Sequence, residues 1–519
     1  MSNKKSGLSR RQLLQGLGAA GLMGAAGFGL SQWKQSSSAV AQPGAKKDPK
    51  FLIVLAASGG ASLIDSFLAI RESESSNAAT LNCFPDKLVK SVEGTPFRAV
   101  DQRLDGIGPI PMPFTASQSS FVKKHKDDMM VVTQTGSSVT HDVAQRRCVT
   151  GNEIWSGRTL QECVAAEYGQ SVALPNVLLA TGTQFIQHGT DTGLPTYALG
   201  EKVANPSLWP LSLHGTKGLT DIDPALVQQI RTLRDEQLDP KTRFSQLYKN
   251  SSLLQRWTNI RGQSLRNLEA QNLVSKLMLF PDSDKYPLKK NGLGESASAK
   301  LVREKFPNFE VDPLETQAAL AFMLLKFRVA VTVTIAPNFD VAAVGDHDIY
   351  GNLTNGSGKG LPEGSILNTP IAFDFSHQAH RSTQSMMWNR ILKVADKLID
   401  LLKSEEYAKG ESFWDRTMIY VATDFGRSKI RPAGAPDFGT SHDLNNGFLV
   451  LSPLAKGNTL LGGVNPDTGM TYGWDIKSGE PDKGRNAEEK EIFAGLLQAL
   501  DVDTSPANLP DVRAMRKKA

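Results

Sequence analysis

At 519 residues, with 21% charged and 40% hydrophobic side chains, the chain has globular composition and is too long for one small core. Its formal net charge of +5 is supplied by Lys4, Lys5, Arg10, Arg11 and Lys34, so the chain beyond residue 41 is formally neutral and nucleic-acid binding loses its compositional support. Three cysteines, Cys83, Cys148 and Cys163, are too few for a disulfide framework and read as buried small residues.

Ser9-Arg10-Arg11-Gln12-Leu13-Leu14 has the form of a twin-arginine export signal, the arginine pair standing ahead of an apolar stretch. Of the 18 residues from Leu13 to Leu30, ten are Gly or Ala. A membrane span needs about 20 strongly apolar residues, so this segment reads as a signal peptide first. Ala39-Val40-Ala41 supplies a cleavage site. The expected product is periplasmic or extracellular, with the twin-arginine translocase as a partner and no stable membrane span after cleavage. That route carries folded proteins, which fits a metal loaded before export.

Phe51–Ala57 is a continuous apolar run, consistent with a central parallel strand. It opens into Ser58-Gly59-Gly60-Ala61-Ser62 and then Asp65. Asp128–Thr133 predicts a second strand, leading through Thr140-His141-Asp142 into a helix that ends at Thr150-Gly151. A helix start suits an anion or a nucleophilic hydroxyl, although Thr140 is equally a good N-cap. Val177–Thr181 predicts a third strand. From residue 206 to 312 the composition shifts to helical spacing, at Leu226–Leu233 and Leu253–Phe280, and predicts a helical insertion or cap. The α/β domain is thereby split into 42–205 and 313–519, behind the signal peptide at 1–41.

In the second half, Thr316–Phe327 predicts a helix and Val329–Ala336 a strand. A long loop follows to Pro370, containing Asp340, Asp346, His347 and Asp348. Met386–Leu402 predicts a helix, Met418–Ala422 and Phe448–Leu451 predict strands, and Glu488–Leu500 a last helix. Between those two strands, Asp424 stands at a strand end and His442 follows a glycine-rich loop. An Asp and a His converging outside the carboxyl ends of strands suit a divalent cation: zinc, manganese, calcium or magnesium. An N-cap Asp and an unrelated surface His is the bland alternative. Five of the eight histidines, His141, His347, His377, His380 and His442, sit beside an acid or at a strand-to-loop edge, as a hydrolytic metal site would place them.

The export signal, the strand-Gly-Gly turn at Phe51–Gly60, the segment His141–Gly151, Asp374-x-x-His377 and Asp424-Phe425-Gly426-Arg427 with His442 resemble a bacterial family of unknown function. That family is exported by the twin-arginine route and belongs to the alkaline phosphatase superfamily, whose members include sulfatases and phosphatases. The resemblance covers nearly the whole mature chain and implies an α/β fold: a three-layer α/β/α sandwich with a mostly parallel sheet, here carrying a helical insertion. It implies a metal set drawn from Asp65, Asp374, His377, His380, Asp424 and His442, and puts Thr140 or His141 at the nucleophile position. Asp424 stands where the family commonly has Glu, and Phe425 where a second-metal His would follow. The implied function is metal-dependent hydrolysis of a phosphate or sulfate ester, the substrate being a small anionic ester or glycan. The alternative is a non-catalytic binding or envelope-assembly protein on the same fold.

Overall fold

The computed structural model describes residues 48–101, 118–179, 183–203, 206, 209–212, 224–259, 273–291, 293–310, 312–337, 373–377, 379–435 and 437–517. They fall into two compact units, one formed by Gln42–Pro206 with Glu304–Ala519 and the other holding Ser207–Arg303.

The larger unit is mixed α/β, built on an eight-stranded, mostly parallel sheet. Its strands are β1 (Phe51–Ala56), β2 (Met129–Thr135), β3 (Asn176–Leu179), β4 (Glu201–Val203), β5 (Thr332–Ile335), β6 (Thr417–Ala422), β7 (Asn445–Leu451) and β8 (Thr459–Leu461). They lie in the order β8-β2-β7-β6-β1-β5-β3-β4. β7 pairs antiparallel with both β6 and β2, and every other neighbouring pair is parallel. All residues of β1 and β6 are buried. Their sequences show no polar alternation because neither face meets water.

Among the helices of this unit are α1 (His141–Thr150), α2 (Leu160–Tyr168), α3 (Pro313–Lys326), α4 (His380–Ser404) and α5 (Glu489–Ala499). α5 packs with α1 and α2, and α3 packs with α4. α1 stops at Gly151, whose φ of 60° is left-handed. α2 begins with a Thr159/Glu162 capping box. α3 starts earlier than its apolar periodicity predicts, because the Asp312 side chain caps Leu314 N and Pro313 fits the first turn. α4 also starts earlier, at His380. Its cap comes from a distant loop: the Asp437 carboxylate accepts from Arg381 N at 2.8 Å and Ser382 N at 3.2 Å.

The described residues of the smaller unit include helices at Pro224–Thr232, Arg243–Leu247, Ser252–Asn259 and Leu273–Leu277, followed by mostly irregular stretches over 278–291 and 293–298. The helical spacing read over Leu253–Phe280 meets helices at Ser252–Asn259 and Leu273–Leu277, and 260–272 lie outside the described residues. No helix among the described residues is long and apolar enough to cross a membrane.

Strand direction places the site. β1, β2 and β6 run the same way, so their carboxyl ends open on one edge of the sheet, where α/β folds bind ligands. β7 runs the other way and begins at that same edge, directly after His442-Asp443.

Candidate metal centre

Asp424 follows β6, and its side chain has no exposed surface. Its Oδ1 accepts from Gly59 N at 2.9 Å and Gly60 N at 2.7 Å. Its Oδ2 accepts from His141 Nδ1 at 2.7 Å and Gln145 Nε2 at 3.3 Å. The turn after β1 therefore grips the residue after β6, and both orient the first residue of α1.

Gly59 and Gly60 have φ of +97° and +88°, and a Cβ on Gly59 would stand 2.3 Å from Asp374 N. Gly59→Ala is expected to cost roughly 1–3 kcal/mol in backbone strain, with the clash added. Gly410→Ala, also at positive φ (+78°) but with nothing within 4 Å, is the control. Urea unfolding of the two variants should show the Gly59 change to be the more damaging.

Asp374 lies in a short 3-10 turn, Phe373–His377, tied to the same region by Phe373 N donating to Ser58 O at 3.0 Å. Four groups meet its Oδ1: His141 Nε2 at 3.1 Å, His377 Nε2 and His442 Nε2 each at 3.3 Å, and Arg427 Nη2 at 2.7 Å. The Arg427 side chain is fully enclosed and also donates to Gly59 O and Thr440 O. Burial alone would raise the Asp374 carboxyl. Hydrogen bonds and charge from His141 and Arg427 overcome this and hold it well below the usual carboxylate range.

His141 bridges the two carboxylates. Burial works to lower its pKa, and Asp374 and Asp424 together push it up to about 9. A raised folded-state pKa gives stability that is full below the unfolded value and is lost as pH rises through the folded one. Protein held in chelator should therefore lose part of its stability between about pH 6.5 and 9, beyond the loss seen in His141→Gln. Urea midpoints across that window check this.

His442 donates through Nδ1 to Val139 O at 2.8 Å, which leaves the Nε2 lone pair facing Asp374 and His377. His377 Nε2 is 2.9 Å from His442 Nε2. The His377 side chain is 44% exposed, and burial together with the Arg427 charge lowers its pKa. Phe425 stacks on His442 with ring centroids 4.0 Å apart and meets His141 at 4.7 Å.

His141, Asp374 and His442 each offer one ligand atom, all within 4.8 Å of one another. Donors around a tetrahedral zinc at 2.0–2.1 Å stand roughly 3.3 Å apart. The distances from His141 Nε2 and His442 Nε2 to Asp374 Oδ1, 3.1 and 3.3 Å, match that. Both imidazoles also donate their other nitrogen to a carboxylate or a carbonyl, the usual support for a metal-bound His. The residues fit a divalent cation.

The structure thus brings together Asp374, His377, His442, His141 and Asp424. It groups Asp65 and His380 separately. Both side chains are fully buried, with His380 Nε2 2.8 Å from Asp65 Oδ2 and Asn82 Nδ2 donating to both Asp65 oxygens at 3.1 Å. Burial would raise the Asp65 carboxyl, and the charge and hydrogen bonds of His380 hold it below its ordinary value. Thr140 is the exposed N-cap of α1, and its hydroxyl makes no capping hydrogen bond. Asp340, Asp346, His347 and Asp348 lie outside the described residues. The cysteines are free and buried. Sequence reasoning gave no role to Arg427, Phe425, Gln145 or Val139. Arg427 and Phe425 stood in the Asp424-Phe425-Gly426-Arg427 segment, and an arginine three residues after a strand-end Asp was the available signal. Comparison with family models, curated proteins and solved structures finds no match for the chain.

Proposed function

We propose that this is a metal-dependent hydrolase of a phosphate or sulfate ester, exported by the twin-arginine route, on an alkaline-phosphatase-like three-layer sandwich. The observation that carries the reading is the convergence of His141, Asp374 and His442 at the carboxyl edge of the sheet, each oriented by a further hydrogen bond. Two imidazoles and one carboxylate suit zinc or manganese better than calcium or magnesium. Such an ion supplies Lewis acidity toward an ester oxygen and lowers the pKa of a water or hydroxyl.

The chain's own residues do the rest. Asp424 and Val139 fix the tautomers of His141 and His442. Arg427 keeps Asp374 ionised. His377, half-exposed beside the group, carries protons to and from the reacting oxygens through Nε2. Thr140 is the nearest hydroxyl in sequence to the ligand at the helix start, and it is the residue to test as nucleophile.

A panel of phosphate mono- and diesters and sulfate esters decides the matter. Wild type should turn over at least one class, and His141→Ala should lose metal and turnover together. Thr140→Ala should keep metal and lose turnover if its hydroxyl attacks. Metal binding with no turnover on any class would leave the binding or envelope-assembly reading in place.

A further inference from the structure

The sequence marks Asp65 and His380 as ligands, yet neither faces the group that gathers on Asp374. The pair is still costly: two ionisable side chains with no solvent contact, where apolar residues of the same shape would pack without desolvation. What the pair holds is Thr440. His380 Nδ1 meets Thr440 Oγ1 at 2.9 Å, and Phe438 stacks on the imidazole with centroids 5.4 Å apart. Thr440 is buried and tied on every side. Its hydroxyl and its amide donate to Ser376 O at 3.1 and 2.8 Å, and its carbonyl accepts from Arg427 Nη1 at 3.4 Å.

Those contacts reach the supports of three side chains in the centre. Ser376 precedes His377, Arg427 holds Asp374, and Thr440 itself lies two residues before His442. The chain segments at 373–377 and 437–442 are far apart in sequence and have no shared strand to set their spacing. α4 holds both: His380 N donates to Phe438 O at 2.7 Å, and Gln384 Nε2 donates to Ser376 Oγ at 3.1 Å.

We propose that Asp65, His380 and Thr440 form a positioning relay that sets the distance between His442 and the Asp374–His377 turn. This rests on reading that group as a metal centre. Asp65 fixes the imidazole, the imidazole fixes the Thr440 hydroxyl, and the hydroxyl locks the two ligand-bearing segments in register. Neither Asp65 nor His380 touches the ion.

Cobalt(II) titration of the full chain, followed by its visible d–d absorption, tests the relay without any assay of turnover. Thr440→Val keeps the shape and removes the hydroxyl. It should weaken cobalt binding by roughly 10–100-fold and shift the visible bands, as loss of a supporting contact does. Thr440→Ser, which restores the hydroxyl, should recover both. Should Thr440→Val fail to fold, Asp65→Asn carries the test with the same readout. Thr440→Val with wild-type affinity and spectrum, while His442→Ala loses the ion, overturns the relay and leaves the metal centre standing. Wild type that takes up no cobalt overturns both.

Discussion

Asp374→Asn should abolish tight binding of the proposed metal ion. A single oxygen, Asp374 Oδ1, is the point at which His141, His377, His442 and Arg427 converge, so no other acid can replace it. The amide is neutral and a poorer ligand. It also leaves the enclosed Arg427 guanidinium without its carboxylate, so an uncompensated positive charge then sits where a cation must bind. Zinc affinity measured by competition with a chromophoric chelator should fall by more than the roughly 10–100-fold seen for supporting contacts. Affinity within a factor of about 3 of wild type would show that Asp374 is not a ligand, since losing a true one costs more than losing its support.

Asp424→Ala should produce the largest loss of stability. Its two oxygens, with no exposed surface of their own, accept from Gly59 N, Gly60 N, His141 Nδ1 and Gln145 Nε2, of which only His141 is partly exposed. Removing one member of a buried charged pair costs about 3–5 kcal/mol, because its partners lose their acceptor and no water replaces it. Urea unfolding in chelator reads this loss directly. Asp424→Asn, which keeps one carbonyl oxygen for the glycine amides, should retain most of the stability. It should still bind zinc more weakly, because His141 loses the carboxylate that orients it. Equal stability of the alanine variant and wild type would mean that the turn after β1 is held by something other than this carboxylate.

The larger elements were legible where one local force sets them. β1, Met418–Ala422 of β6 and Phe448–Leu451 of β7 are apolar runs because both faces are covered. α1 is bounded by Thr140 and Gly151, whereas the Asp312-Pro313 start of α3 was read three residues late, at Thr316. β4 and β8 were not foreseen. Each is three residues long and joins the sheet at its edge, so its pairing depends on a neighbour strand rather than on its own apolar pattern. In the site, His and Asp residues at strand-to-loop edges pointed to Asp374, His377, Asp424, His442 and His141. Spacing could not separate His377 from His380, three residues on. The difference is that α4 begins at His380 and turns its imidazole into the core toward Asp65, while His377 stays on the turn beside Asp374. Nor could sequence show that the Asp424 oxygens are taken by donors from two other segments, the Gly59-Gly60 turn and α1. Those contacts span 279 to 365 positions along the chain.

Metal analysis of the protein, purified without chelator, is the decisive measurement. About one zinc or manganese ion per wild-type chain is expected, and none in His442→Ala, which lacks one of the converging ligands. Wild-type protein with no more metal than His442→Ala would contradict it.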